Sequence, residues 1–198
     1  MEVILIMKKI IITIIILAIG FSFTACNSKN NGTSGKNSTE TKTAEVKKAA
    51  LGDLNTIPSF KVKDINNNDV TEKILKDKKV TMINIWGTFC SPCVEEMPLL
   101  QKLYDEYTAK GFNLIGVVSD GEMNKEDALD ILKKLNVTFV NLIPDEKFQN
   151  DFVSKTDVVP TSVFVNSNGE ILETVTGSRT KEEYKNIIEI FLLLQLYF

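Results

Sequence analysis

From residue 54 onward, short apolar runs alternate with amphipathic stretches, and turn-forming residues separate them. The pattern predicts a short strand over 60–62, a turn at Asn66-Asn67-Asn68-Asp69 and a return strand at Val70. Residues 71–76 form a helical turn capped by Thr71, and the run 80–86 reads as a buried central strand. Apolar residues at helical spacing (Leu99, Leu100, Leu103, Tyr107) predict a helix over 92–110, stopped by Gly111. The strand expected over 112–118 lies parallel to 80–86 by the crossover rule. An amphipathic helix over 125–135 carries Ala128, Leu129, Ile131, Leu132 and Leu135. A strand over 137–143 and a short helix over 146–152 follow. Strands over 161–165 and 171–175 are joined by the turn Asn166-Ser167-Asn168-Gly169, and a last helix begins near Thr180. This alternation implies an α/β domain built on a central mixed sheet flanked by helices.

The chain ahead of this domain has a different character. After Lys8-Lys9 an almost unbroken apolar stretch runs over 10–23 and ends in Thr24-Ala25-Cys26, the layout of a secretory signal. It is short for a membrane span, which needs about 20 residues. Met7 offers an alternative start. Phe23-Thr24-Ala25-Cys26 resembles the bacterial lipobox, with Phe23 where that motif usually has Leu. The resemblance implies cleavage before Cys26 and lipidation of that cysteine; an uncleaved helical anchor is the alternative. Either way, the expected location is outside the cytoplasm, tied to a lipid bilayer. Residues 27–43 are Asn, Ser, Thr, Gly, Lys and Glu without a large apolar side chain, so they form a tether and not a core. A coil of about 20 residues reaches roughly 25 Å. The organisation expected is a signal peptide over 1–25, a lipidated cysteine and tether over 26–50, and one folded domain over 51–198.

Charge and composition narrow the chemistry. Net charge is −3, from 23 basic and 26 acidic residues, with no basic stripe, so nucleic acid is not an expected partner. The chain has no histidine, which removes the usual base of Ser–His and Cys–His hydrolases and the commonest transition-metal ligand. Three cysteines, one of them Cys26, are too few for a closed zinc site, and no metal or other cofactor is expected.

The other two cysteines stand at the predicted strand–helix junction, in Trp86-Gly87-Thr88-Phe89-Cys90-Ser91-Pro92-Cys93. Thiols three positions apart at a helix start can open and close a disulfide with little backbone movement, and the helix N-terminus stabilises a thiolate. Cys90 at the cap is the expected nucleophile, and Cys93, one turn further in, the resolving thiol. A static structural pair is the bland alternative. Pro92 suits the first helical turn. Glu95, Glu122, Asp127 and Asp130 read as solvated acids. Thr88 lies two positions before Cys90, which does not match a peroxidase Thr-x-x-Cys spacing.

The order of elements, the Trp-x-x-x-Cys-x-x-Cys motif, the Cys93-Val94-Glu95-Glu96-Met97-Pro98 extension, the Val159-Pro160-Thr161 loop and the insertion between Ser119 and Asp151 resemble the thioredoxin fold. Within it, they are similar to the TlpA/ResA-like membrane-tethered thiol–disulfide oxidoreductases, over roughly 53–188. Phe89 stands where that family usually has a second Trp. The resemblance implies a βα insertion and an N-terminal strand or hairpin extension. It also implies a cis-proline at Pro160 against the active disulfide, with Val159, Thr161 and Trp86 beside the substrate. Glu96 would act on the protons of the thiols; a surface acid is the alternative there, as a core tryptophan is for Trp86 and an ordinary trans proline for Pro160. Pro98 is expected to kink the helix. The implied role is reduction of extracytoplasmic client disulfides, for example those of apocytochrome c, with re-reduction by a membrane electron donor of the CcdA/DsbD type. A disulfide-forming oxidase and a non-catalytic Cu(I)- or client-binding module are the alternatives. The apolar run 191–198 is unexplained at this level.

Overall fold

The computed structural model describes residue 51 and residues 54–194. The signal segment, Cys26, the tether and Gln195 to Phe198 lie outside the described residues. Seven strands, β1 (Lys61–Asp64), β2 (Asp69–Thr71), β3 (Val80–Trp86), β4 (Phe112–Val118), β5 (Val140–Ile143), β6 (Thr161–Asn166) and β7 (Ile171–Thr176), form one sheet in the order β2-β1-β5-β4-β3-β6-β7. β3, β4 and β5 are parallel neighbours, while β1, β2, β6 and β7 pair antiparallel. This is the mixed sheet of a thioredoxin-like fold, with the β1–β2 hairpin extending one edge.

Handedness distributes the helices. The connections β3–α1–β4 and β4–α2–β5 step the same way across the sheet, so α1 (Ser91–Tyr107) and α2 (Lys125–Lys134) cover one face. The connection from β5 to the antiparallel β6 carries α3 (Glu146–Asp151), which packs on the opposite face. The final helix α4 (Lys181–Leu194) packs beside α1. Its start is a reciprocal cap: the Glu183 amide donates to Thr180 Oγ1 and the Thr180 amide to Glu183 Oε2.

Both faces of β3 and β4 are buried, which is why these strands read as continuous apolar runs. Side chains alternate between two cores. Val80, Met82 and Trp86 face α1 and α4, whereas Ile83 and Ile85 face α3 with Phe148 and Phe152.

Some boundaries differ from the sequence reading. The helix after the cysteines ends at Tyr107, and residues Thr108–Lys110 tighten into a 3-10 turn before Gly111 at φ 99°. The strand expected over 137–143 begins only at Val140. Asn136 takes a positive φ, the Val137 amide returns to the α2 carbonyl of Leu132, and the Thr138 amide donates to Gln101 Oε1. Those amides are already used, so they cannot join the ladder. Pro98 lies inside α1 on its exposed side, and the helix continues through it.

A polar row crosses the middle of the sheet on the α1 side. Register places Ser162, Asn84, Gly116 and Asn141 side by side on β6, β3, β4 and β5. A Cβ on Gly116 would lie 1.9 Å from Asn141 Oδ1, which accepts the Trp86 indole hydrogen bond at 2.9 Å. Gly116→Ala must push Asn141 aside and leave the buried indole N–H without its partner. We expect a loss of about 2–4 kcal/mol in urea unfolding followed by circular dichroism.

Candidate active site

Strand β3 ends at Trp86, the chain crosses Gly87, Thr88 and Phe89, and Cys90 becomes the N-cap of α1. The crossing is held from outside. Asp120 accepts from the Thr88 amide at 3.1 Å and from the Thr88 hydroxyl, while the Ser119 amide donates to the Trp86 carbonyl. Asn124 Nδ2 donates to the same Asp120 carboxylate. With four backbone amides free at a helix start, the cap position needs an acceptor. Cys90 Sγ provides it, accepting from the Cys93 amide at 3.3 Å. Pro92 sits in the first turn, where no amide is needed.

Cys90 and Cys93 form a disulfide with a Cα–Cα distance of 5.3 Å. Cys93 is fully buried, and Cys90 keeps 7 % of its surface exposed. An incoming sulfur therefore meets Cys90 first. The Cys90 sulfur also lies 3.6 Å from the carbonyl oxygen of Val159. The Val159–Pro160 bond is cis, the isomer the sequence resemblance implies.

The remaining predicted residues divide by burial. Val159 is partly exposed and Pro160 buried beneath it. Trp86 is wholly buried, with its indole bonded to Asn141, so it belongs to the core beneath the disulfide and offers no surface to a substrate. Thr161 is equally buried, its hydroxyl donates to the Val158 carbonyl, and both its strand neighbours are paired. Burial thus matches the core reading of Trp86, and Thr161 is equally enclosed within the sheet. Glu95 is exposed, as are Glu122, Asp127 and Asp130.

Glu96 is not a surface acid. It is 94 % buried (6 % exposed), three residues after Cys93 on the same helix. Its carboxylate accepts from Asn84 Nδ2 at 3.0 Å and from the Tyr184 hydroxyl at 3.2 Å, and the Ser178 hydroxyl and Arg179 amide also face it. Asn84 in turn donates to Ser162 Oγ, which lies 3.3 Å from the Tyr184 hydroxyl. Burial raises the Glu96 pKa, and the hydrogen bonds offset only part of that rise. Tyr184 is pushed up as well, first by burial and then by the Glu96 charge, so it remains a neutral donor. None of these four partners was picked out from the sequence. The available signal was Asn84 itself, a polar residue in the middle of an apolar strand.

Beside the disulfide opens a surface groove of about 450 Å³, lined by Phe89, Val153, Val158 and Val159 with Gln149 and Asp157. Phe89 is 72 % exposed at its edge.

A Cys-x-x-Cys disulfide capping a helix on a thioredoxin-like sheet, beside a cis-proline loop, defines a thiol–disulfide exchange protein. The chain belongs to the Redoxin family, whose model matches residues 53–188, and within it the protein is a ResA-like thiol–disulfide oxidoreductase. It is 30 % identical over 132 residues to the thiol-disulfide oxidoreductase ResA of Bacillus cereus, covering 67 % of this chain and 74 % of that protein. The ResA of Geobacillus thermodenitrificans is 28 % identical over 186 residues, covering 93 % of this chain and 94 % of that one. Among solved structures, StoA from Bacillus subtilis superposes with a TM-score of 0.55 at 28 % identity, over 67 % of this chain and 98 % of that one. The thioredoxin domain of a thiol-disulfide oxidoreductase from Bacteroides vulgatus gives 0.60 at 22 % identity, over 69 % and 95 %, a likeness of fold.

The raised carboxyl has a measurable consequence. A buried acid whose folded pKa exceeds its unfolded value stabilises the fold while protonated, and that contribution is lost as pH rises through the folded pKa. The Tm of the oxidised protein should therefore decline as pH rises above the ordinary carboxylate range. Glu96→Gln keeps the shape and removes the charge, so its Tm should gain on the wild type between about pH 4 and pH 8. Parallel melts of the two proteins check this. A constant difference across that range would contradict it.

Proposed function

We propose that this protein is a membrane-tethered, extracytoplasmic reductant of client disulfides, with apocytochrome c among its clients. The observation that carries the reading is Cys90: its sulfur is the accessible one of the pair, and it faces the Val159 carbonyl beside an open groove. A client segment lying extended along that loop can hydrogen-bond to the Val159 backbone and bring its own disulfide onto Cys90.

In the reduced protein, the Cys90 thiolate, held by the Cys93 amide and the helix start, attacks one sulfur of the client disulfide. The client S–S bond breaks, one client thiolate leaves, and a Cys90–client disulfide forms. Cys93 then attacks the Cys90 sulfur, expels the second client thiolate and closes the Cys90–Cys93 bond. Two electrons have passed to the client. Cys93 must lose a proton in a site closed to water, and Glu96, one turn along the same helix, is the buried base that serves it. Its raised pKa brings it nearer the pH at which it can both take and release that proton. Re-reduction requires two electrons from a membrane dithiol donor; no cofactor beyond the disulfide is involved. The anchor is Cys26, lipidated after removal of the signal segment.

The reducing direction is supported by the surroundings of the pair. The chain has no histidine, and the hydrogen bond to Cys90 Sγ comes from a neutral backbone amide. A weakly stabilised thiolate pair holds its electrons less tightly than one flanked by positive charge.

The test is a trap. Cys93→Ala should accumulate client mixed disulfides on Cys90, and Cys90→Ala should accumulate none, as read on non-reducing gels of the host envelope fraction. An oxidised apocytochrome c peptide should be reduced stoichiometrically by the reduced wild type. Clients attached through Cys93 alone, or a peptide left oxidised, would overturn the assignment. Glu96→Gln should slow insulin reduction by about 10²-fold and flatten its pH profile.

A further inference from the structure

The exposed large apolar side chains of the described residues fall into two groups. Phe89, Met123 and Val158 lie after the end of β3, after the end of β4 and before the start of β6, all at the disulfide pole. Ile190, Leu193 and Leu194, 47–57 % exposed, lie at the other. Leu192 and Leu193 share a groove of about 410 Å³ with Lys79, Tyr107, Lys110 and Glu189. Lys79 immediately precedes β3 and Cys90 follows it, so seven residues of strand, about 23 Å, separate the two poles. Client exchange uses the first group. Nothing in that chemistry uses the second.

We propose that the far pole, the end of α4 with its lysine rim, is a lipid-contact surface that seats on anionic headgroups and turns the disulfide away from the bilayer. α4 buries Tyr184 and Ile188 against the sheet, and Phe191 packs on Phe164 at 6.0 Å between ring centres. Its last turn then presents leucines to solvent, and the sequence continues as Gln195-Leu196-Tyr197-Phe198, adding three more large apolar residues. Lys79, in the approach to β3, and Lys110, after α1, line the groove beside it. Of the acids there, Glu189 accepts the Tyr107 hydroxyl, Glu106 is paired with Lys181, and Asp77 sits in the same lysine-rich loop. Exposed apolar residues at a helix end, flanked by Lys79 and Lys110, suit the interface of an anionic bilayer.

A second copy of the chain is the weaker occupant. Three half-exposed side chains fall far short of the roughly 800 Å² per partner that a standard interface buries. A lipid surface needs less, because a tether of roughly 25 Å reach keeps this domain at high effective concentration beside the bilayer. The inference rests on the anchored reading above.

The test uses the full chain reconstituted on phosphatidylcholine–phosphatidylglycerol vesicles with brominated acyl chains, carrying either Leu193→Trp or Phe89→Trp over the buried Trp86. Flotation reads the anchor, and bromine quenching reads the orientation. Expected is flotation with loss of emission for Leu193→Trp and none beyond background for Phe89→Trp. Flotation without quenching at Leu193→Trp, or with equal quenching at both sites, overturns the lipid contact and leaves the anchor standing. Failure to float overturns both. A blue shift of Leu193→Trp with rising protein concentration, in detergent without vesicles, assigns the surface to a second copy and also overturns the proposal.

Discussion

A sulfur acting as the cap of a helix sets the rest of the site in order. The four leading amides of α1 need acceptors, and the side chain that answers is Cys90, through the Cys93 amide. The same hydrogen bond that lets the helix start is the one that stabilises a thiolate there. It also fixes which sulfur faces outward, since the cap residue stands at the helix mouth and Cys93 turns into the core. β3 delivers the chain to that point, and Asp120 holds the crossing in place.

Beneath the sulfurs the protein keeps an acid where an apolar side chain would pack more cheaply. Burying Glu96 costs solvation, and Asn84, Tyr184, Ser162 and Ser178 offset the cost with a hydrogen-bonded network drawn from β3, α4, β6 and the loop before α4. Such a network gives little stability for its size. What it secures is a carboxyl in the dry interior, three residues from Cys93 on the same helix, and perturbed buried acids of this kind cluster at functional sites. The open groove and the cis-proline loop lie on the solvent side of the same disulfide. The buried carboxyl and the open groove therefore lie on opposite sides of the disulfide.

Local rules made the fold legible. β3 and β4 are apolar runs bounded by turn residues, and their bounds match the reading residue for residue. The Cys90–Cys93 pair was legible because its spacing has a chemical meaning by itself, and the cis bond at Pro160 only through the family resemblance. The start of β5 was not, because it depends on Gln101, a side chain from another helix, taking the Thr138 amide. The burial of Trp86 and Thr161 was hidden for a related reason: a motif gives nearness to the disulfide in sequence but not whether a side chain points to solvent or core. Glu96 had two readings until α4 was seen to bring Tyr184 across it, 88 positions away in the chain. Contacts of that range leave no periodic trace.

We propose that this dithiol gives electrons to its clients. The direct measurement is the equilibrium reduction potential of the Cys90–Cys93 pair in the purified protein, against glutathione or thioredoxin. A value near or below the roughly −270 mV of thioredoxin is predicted, which makes a dedicated electron donor obligatory. A value near the roughly −120 mV of a strong oxidant would contradict it and assign the protein to disulfide formation.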